Sequence, residues 1–224
     1  MMIRPAACLL AIALGFQGAP PKQPKVQPGP NEPDWVAILD AYYGLSMFGD
    51  LANPLKTTAE ATPGRFRKAG PGEVTFTPLL ALGLEVPIHG GHYEAKDGAD
   101  PARPAKVELW SYQFKHAPKE IESGHPKAVP LREGSSTRFD PGSAQFGLWI
   151  GNDQFHDAVF TQPAVVAAVN PRLAKQPYKT MIYPYRDKAT GKVVPHSYLI
   201  GWEYSTNDDF QDVVCRVDNV ELVP

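Results

Sequence analysis

Short apolar runs, broken by proline and glycine steps, occupy most of the chain after Glu73. Residues two apart in an extended strand share a face. Lys106 to Phe114 therefore sets Val107, Leu109, Ser111 and Gln113 on one side and Glu108, Trp110, Tyr112 and Phe114 on the other. Val74 to Thr77 also alternates. Leu79 to Val86 is continuously apolar apart from Glu85, with Gly83 as a candidate bulge. His92 to Ala95 follows a Gly-Gly step that reads as a hairpin turn. Ala144 to Ile150, Met181 to Tyr185 and Tyr198 to Tyr204 are further strands, and Asp212 to Val223 is the last. Ala164 to Leu173 is rich in Val and Ala and reads as one or two helical turns. Strand-like runs punctuated in this way predict a mainly β fold, an antiparallel β-sandwich or jelly roll with a short N-terminal helix.

The chain before Glu73 divides into three parts. Arg4 followed by the apolar run Ala6 to Leu14 has the form of a secretory signal peptide, too short to span a bilayer. Ala13-Leu14-Gly15 offers a small-x-small cleavage step, and the signal is assigned to residues 1–19. Residues 20–33 are proline-rich and read as a stiff, extended linker. Within residues 34–72, Asp34 caps a predicted short helix carrying Trp35, Ile38, Leu39, Tyr42 and Tyr43, with Gly44 as its stop and a turn-rich loop beyond. The sandwich is assigned to residues 73–224. No segment reads as a transmembrane span, so the protein is expected to be secreted, either periplasmic or extracellular.

Composition agrees with this picture. Of 224 residues, 43% are hydrophobic, enough for a core. The 24 prolines are roughly twice the usual share of about 5% and disfavour long helices. A net charge of −2 argues against nucleic acid or an anionic membrane as the main partner. Signal cleavage would remove Cys8 and leave Cys215, which lies in phase with Val213 and Val217 and reads as a buried structural thiol. An internal disulfide is then excluded.

The densest chemistry lies near the C-terminus, in W-E-Y-S-T-N-D-D-F-Q-D-V-V from Trp202 to Val214. Glu203, Asn207, Asp208, Asp209 and Asp212 supply clustered oxygens of the kind a hard cation such as calcium takes as ligands. The competing reading is an Asx-rich hairpin turn whose side chains bond local N–H groups. A buried Asp212 would need a cation, Arg216 or backbone N–H groups beside it.

The order S-A-Q-F-G-L-W-I, M-I-Y-P-Y, P-H-S-Y-L-I-G-W-E and D-D-F-Q-D-V-V-C-R-V resembles a group of secreted bacterial domains of unknown function. Their C-terminal signature is an aromatic followed by Glu-Asp, a polar turn, then D-x-D-F-N-D and a Val-rich strand. Glu203, Asp209, Phe210 and Asp212 match it. Tyr204 stands where an Asp is usual, Asn207 replaces the first Asp of the second motif, and Gln211 replaces the Asn. The resemblance covers the C-terminal third and implies a β-sandwich module of exported proteins, with calcium at the acidic turn.

Other groups are weaker. His89-Gly90-Gly91-His92 is a close histidine pair without the third ligand that zinc needs. Gly151 to Asp157 reads as a solvated loop, a second cation loop, or a sugar-contacting loop with Phe155 as platform. Trp110, Tyr112, Trp149 and Trp202 suit core packing better than a carbohydrate groove. The leading expectation is a non-enzymatic extracellular module, calcium-stabilised, in surface attachment or glycan contact. The alternative is a polysaccharide hydrolase using Glu203 and Asp212 as paired carboxylates.

Overall fold

The computed structural model describes residues 64–123, 125–154, 158–187, 189–205 and 210–223. The signal peptide, the linker and the helix predicted from Asp34 lie outside them. Among the described residues, eleven strands form two antiparallel sheets. In the first, β11 (Val220–Val223), β1 (Arg65–Lys68), β6 (Phe146–Asn152), β3 (Pro87–Glu94) and β4 (Lys106–Gln113) are neighbours in that order, and β7 (Ala158–Phe160) also pairs with β6. In the second the order is β5 (Arg138–Phe139), β2 (Val74–Ala81), β10 (Val213–Asp218), β9 (Val193–Trp202) and β8 (Thr180–Arg186). The expected β-sandwich is thus present. Two short helices, α1 (Pro118–Glu122) and α2 (Pro163–Val169), complete the described elements with a 3-10 turn at Pro171–Leu173.

The core lies between the sheets. Phe76, Trp110, Leu148, Ile150, Ile182, Ile200, Trp202 and Val217 are buried there. Trp110 links the layers directly: its ring lies 5.2 Å from Phe76, and its Nε1–H donates to the Phe76 carbonyl at 2.8 Å. A buried indole is stable only when that N–H finds an acceptor. A second cluster forms on the outer face of the first sheet. There Tyr93, Trp149 and Phe160 meet Val165 and Val166 of α2, which explains the Val/Ala-rich helix.

Three differences from the sequence reading have plain causes. First, His89-Gly90-Gly91-His92 is not a turn but the middle of β3. A Cβ on Gly90 would collide with the Trp110 ring, and one on Gly91 with the Val107 carbonyl. The glycines serve close packing against neighbours. Second, Asp212 to Val223 is two strands in different sheets. The chain crosses over at Asn219, whose φ is 64° and whose amide donates to the Pro71 and Glu73 carbonyls at 3.3 and 3.2 Å. Asn is among the few residues that tolerate this left-handed conformation. Third, β1 falls within the stretch read as loop. It pairs through Arg65–Lys68 with the C-terminal β11, a partner far away in sequence.

Proline is accommodated inside β2. Val214 pairs with Leu80 and Cys215 with Pro78, so Leu79 bulges out of the ladder. On the opposite edge β5 reaches only Val74 and Thr75, clear of Pro78. Asp218 accepts from Thr75, Ser197 and Arg216 across three strands. His116 is buried. Its Nδ1 accepts from Ala81 N–H at 3.1 Å and its Nε2 lies 2.9 Å from the Lys127 carbonyl.

His92 points into the sandwich and stacks on Phe139 at 4.3 Å. Burial lowers its pKa. The unfolded chain therefore binds this proton more readily than the folded one, and stability falls as pH drops below about 6.5. Urea unfolding across pH 5–8 should show that slope, and His92→Phe should flatten it. Gly90→Ala should lower stability by about 1–3 kcal/mol, measured by urea unfolding at neutral pH.

Candidate functional site

The acidic C-terminal turn connects β9 to β10. Glu203 directly follows β9 and Asp212 directly precedes β10, where Trp202 pairs with Val213. Asn207, Asp208 and Asp209 lie outside the described residues. Glu203 is 0% exposed and Asp212 8%. Glu203 Oε1 accepts the Ser205 N–H at 2.7 Å, and Asp212 Oδ2 accepts the Tyr204 N–H at 2.9 Å. The Asp212 carbonyl accepts from both Leu82 and Gly83. The Tyr204 hydroxyl in turn accepts the Leu84 N–H at 2.6 Å. Arg216, a partner weighed for Asp212, turns to Asp218 at 2.7 Å and lies over the Tyr185 ring.

A buried cation already stands at this end of the sandwich. Lys179 is 1% exposed, and its Nζ donates to the Ser205 carbonyl at 2.9 Å. Its own carbonyl accepts the Glu203 N–H. Among the described residues no group of three His, Cys, Asp or Glu side chains is placed to hold a metal ion. The described part of the turn thus uses its oxygens on main-chain N–H groups, as a tied bend does. Nearby, burial pushes the Tyr112 hydroxyl and the Cys215 thiol well above their ordinary pKa values, and Tyr204 and Asp212 add to the effect on Tyr112. Cys215 is a buried, free thiol, as its phase in the strand implied.

A different set of side chains converges on the outer face of the first sheet. Three adjacent strands, β6, β3 and β4, form its floor. Along β3 the side chains alternate, so His92 faces the core and His89 faces out. The two histidines are therefore not a ligand pair. His89 Nδ1 lies 3.1 Å from Glu108 Oε1 on β4, and His89 Nε2 lies 3.1 Å from Asp153 Oδ1 just beyond β6. With Lys106, Trp149, Gly151, Asn152 and Ala158 these residues line an open cleft of about 310 Å³. The Trp149 ring is buried over Gly91, with the Lys106 ammonium 4.7 Å from its centroid. Trp149 Nε1–H donates to the Val107 carbonyl at 3.3 Å. All four aromatics weighed as a sugar groove, Trp110, Tyr112, Trp149 and Trp202, are buried.

Sequence reasoning reached part of this cleft. It weighed Gly151 to Asp157 as a solvated loop, a cation loop or a sugar-contacting loop; Asn152 and Asp153 line the cleft, while Phe155, His156 and Asp157 lie outside the described residues. It missed Glu108 and the outward role of His89. The alternation of β4 placed Glu108 on the same face as Trp110, but Leu109 bulges where Gly90 pairs with Trp110 and Gly91 with Glu108. A one-residue bulge reverses which side faces the core.

No family model and no curated protein matches this chain. Among solved structures, the C-terminal domain of the BC2L-C lectin from Burkholderia cenocepacia is similar over 73% of this chain and 99% of that chain, with 11% identity and a TM-score of 0.35. So loose a superposition bears on neither the site nor its ligand. Among the described residues no helix is long and apolar enough to cross a membrane.

Asp212→Ala should cost about 1–3 kcal/mol in urea unfolding, because it strands the buried Tyr204 N–H. Melting with calcium and with chelator tests the cation: a calcium-dependent rise of several degrees that Asp212→Ala abolishes is the outcome expected of an ion at the turn, and an unchanged midpoint that of a plain bend, since a ligand stabilises only by binding the fold.

Proposed function

We propose that this protein is a non-enzymatic extracellular module that contacts a glycan or another cell-surface component through the cleft over His89, Glu108, Asn152 and Asp153. The observation that carries this reading is the mixture of groups converging there: two carboxylates, an amide, an imidazole and an ammonium beside a half-open floor. Sugar hydroxyls both donate and accept, and a site for them needs acceptors and donors set close together. The side chains of Glu108 and Asp153 are 51% and 61% exposed, accessible to a ligand arriving from solvent. The signal-like N-terminus, with Arg4 and the apolar run Ala6 to Leu14, supports an exported protein.

The hydrolase reading finds less support. Glu203 and Asp212 are buried, each carboxylate accepts a backbone N–H, and neither lines the cleft. A glycosidase pair has to face a bound sugar from both sides with room for water or direct attack. The resemblance of the C-terminal third to secreted bacterial domains of unknown function agrees with a module and names no ligand.

A glycan array probed with the full chain tests the proposal. Binding to a defined set of neutral oligosaccharides is expected, without release of reducing ends. Asp153→Ala and Glu108→Ala should each weaken it about tenfold, the scale of one lost hydrogen bond to a charged group, with unchanged melting. An array without hits, or hits indifferent to both substitutions, would sink this function.

A further inference from the structure

The two cleft carboxylates share one partner, His89. Its imidazole stands between Glu108 and Asp153, with one ring nitrogen 3.1 Å from each. A neutral imidazole has one N–H donor and one lone pair, whereas the imidazolium has two donors. Both contacts are satisfied at once only by the charged ring. After the ring loses a proton, one nitrogen presents a lone pair to a carboxylate oxygen, and that contact turns repulsive.

From β4 the facing groups are Lys106 and Glu108, and from the end of β6 they are Asn152 and Asp153; β7 contributes Ala158. Lys106 sits over Trp149, its ammonium 4.7 Å from the ring centroid. The β3 neighbour His92 points into the core. Imidazole is the side-chain group that ordinarily changes charge between pH 5 and 8.

We infer that His89 is a proton-operated latch: protonated, it occupies the carboxylates of Glu108 and Asp153, and deprotonated, it releases one of them to accept a ligand hydroxyl. The latch ties three neighbouring strands across the sheet's outer face. Acidification closes it and reduces the acceptor capacity of the cleft; neutral or alkaline conditions open it. This regulation rests on the glycan-contact reading for its consequence, while the latch itself exists with no ligand present.

The test separates the two. In the ligand-free full chain, NMR titration follows the His89 ring nitrogens together with the side-chain carboxyl carbons of Glu108 and Asp153. The latch requires protons on both nitrogens at the acid end and a carboxyl shift in at least one partner that tracks His89. That shift must vanish in His89→Gln. Carboxyl signals indifferent to the His89 titration would overturn the latch, whatever the ligand. Binding of the array's best neutral oligosaccharide is then compared at pH 5 and pH 8. About fivefold weaker binding at pH 5 is expected, one neutral hydrogen bond's worth, and a ratio near one in His89→Gln. Equal affinities in the wild type would overturn the regulatory role. If the chain binds no oligosaccharide at either pH, the proposed function fails and the titration alone decides the latch.

Discussion

The contact between Trp110 and the opposing sheet is the constraint from which most of the molecule follows. This indole is fully buried, packs at a tilt against Phe76 and donates its N–H to the Phe76 carbonyl. Its size dictates what lies beneath it. Only a glycine fits at position 90, and so the Gly-Gly step stays in an extended strand with the ring against it. Because β3 runs straight through that step, its alternation persists, His92 joins the core and His89 emerges on the outer face. The cleft thus owes its central residue to a packing requirement on the opposite side of the sheet.

The same outer face uses glycine a second way. Trp149 lies over Gly91 and Tyr93 over Gly147, so large aromatic rings cover positions with no side chain of their own. Helix α2 closes one end of this surface with Val165 and Val166. What remains open is the polar end, where Lys106, Glu108, Asn152 and Asp153 meet. The turn between β9 and β10 is built differently. There Glu203, Asp212, Tyr204 and Lys179 are buried, and their polar atoms tie down the main chain. Two polar regions therefore differ: the described residues of one are buried, and the other faces solvent.

Acid density in the sequence pointed to the turn after Trp202, because clustering along the chain is visible without a fold. The solvent-facing cleft is assembled from His89, Glu108 and Asp153, far apart in sequence and joined only by strand pairing. No spacing rule signals such a set. The alternation in Lys106 to Phe114 came close, and failed at Glu108 because a bulge at Leu109 leaves no mark in a pattern of apolar and polar residues. The strand switch at Asn219 was equally hidden: Val-rich residues lie on both sides of it, and a single run of apolar residues looks the same whether it serves one sheet or two.

Taken alone, the order of residues determined the class of fold, most strand positions, the helix at the Val/Ala-rich segment and the burial of Cys215. These are local properties, since period-two alternation and proline punctuation bias the backbone wherever they occur. Only the tertiary structure decided which sheet each strand joins, that β1 pairs with the C-terminal β11, and which face of β3 and β4 meets solvent. Those outcomes depend on long-range pairing and on whether one side chain has room beside another, and both are settled by the packing of the whole sandwich.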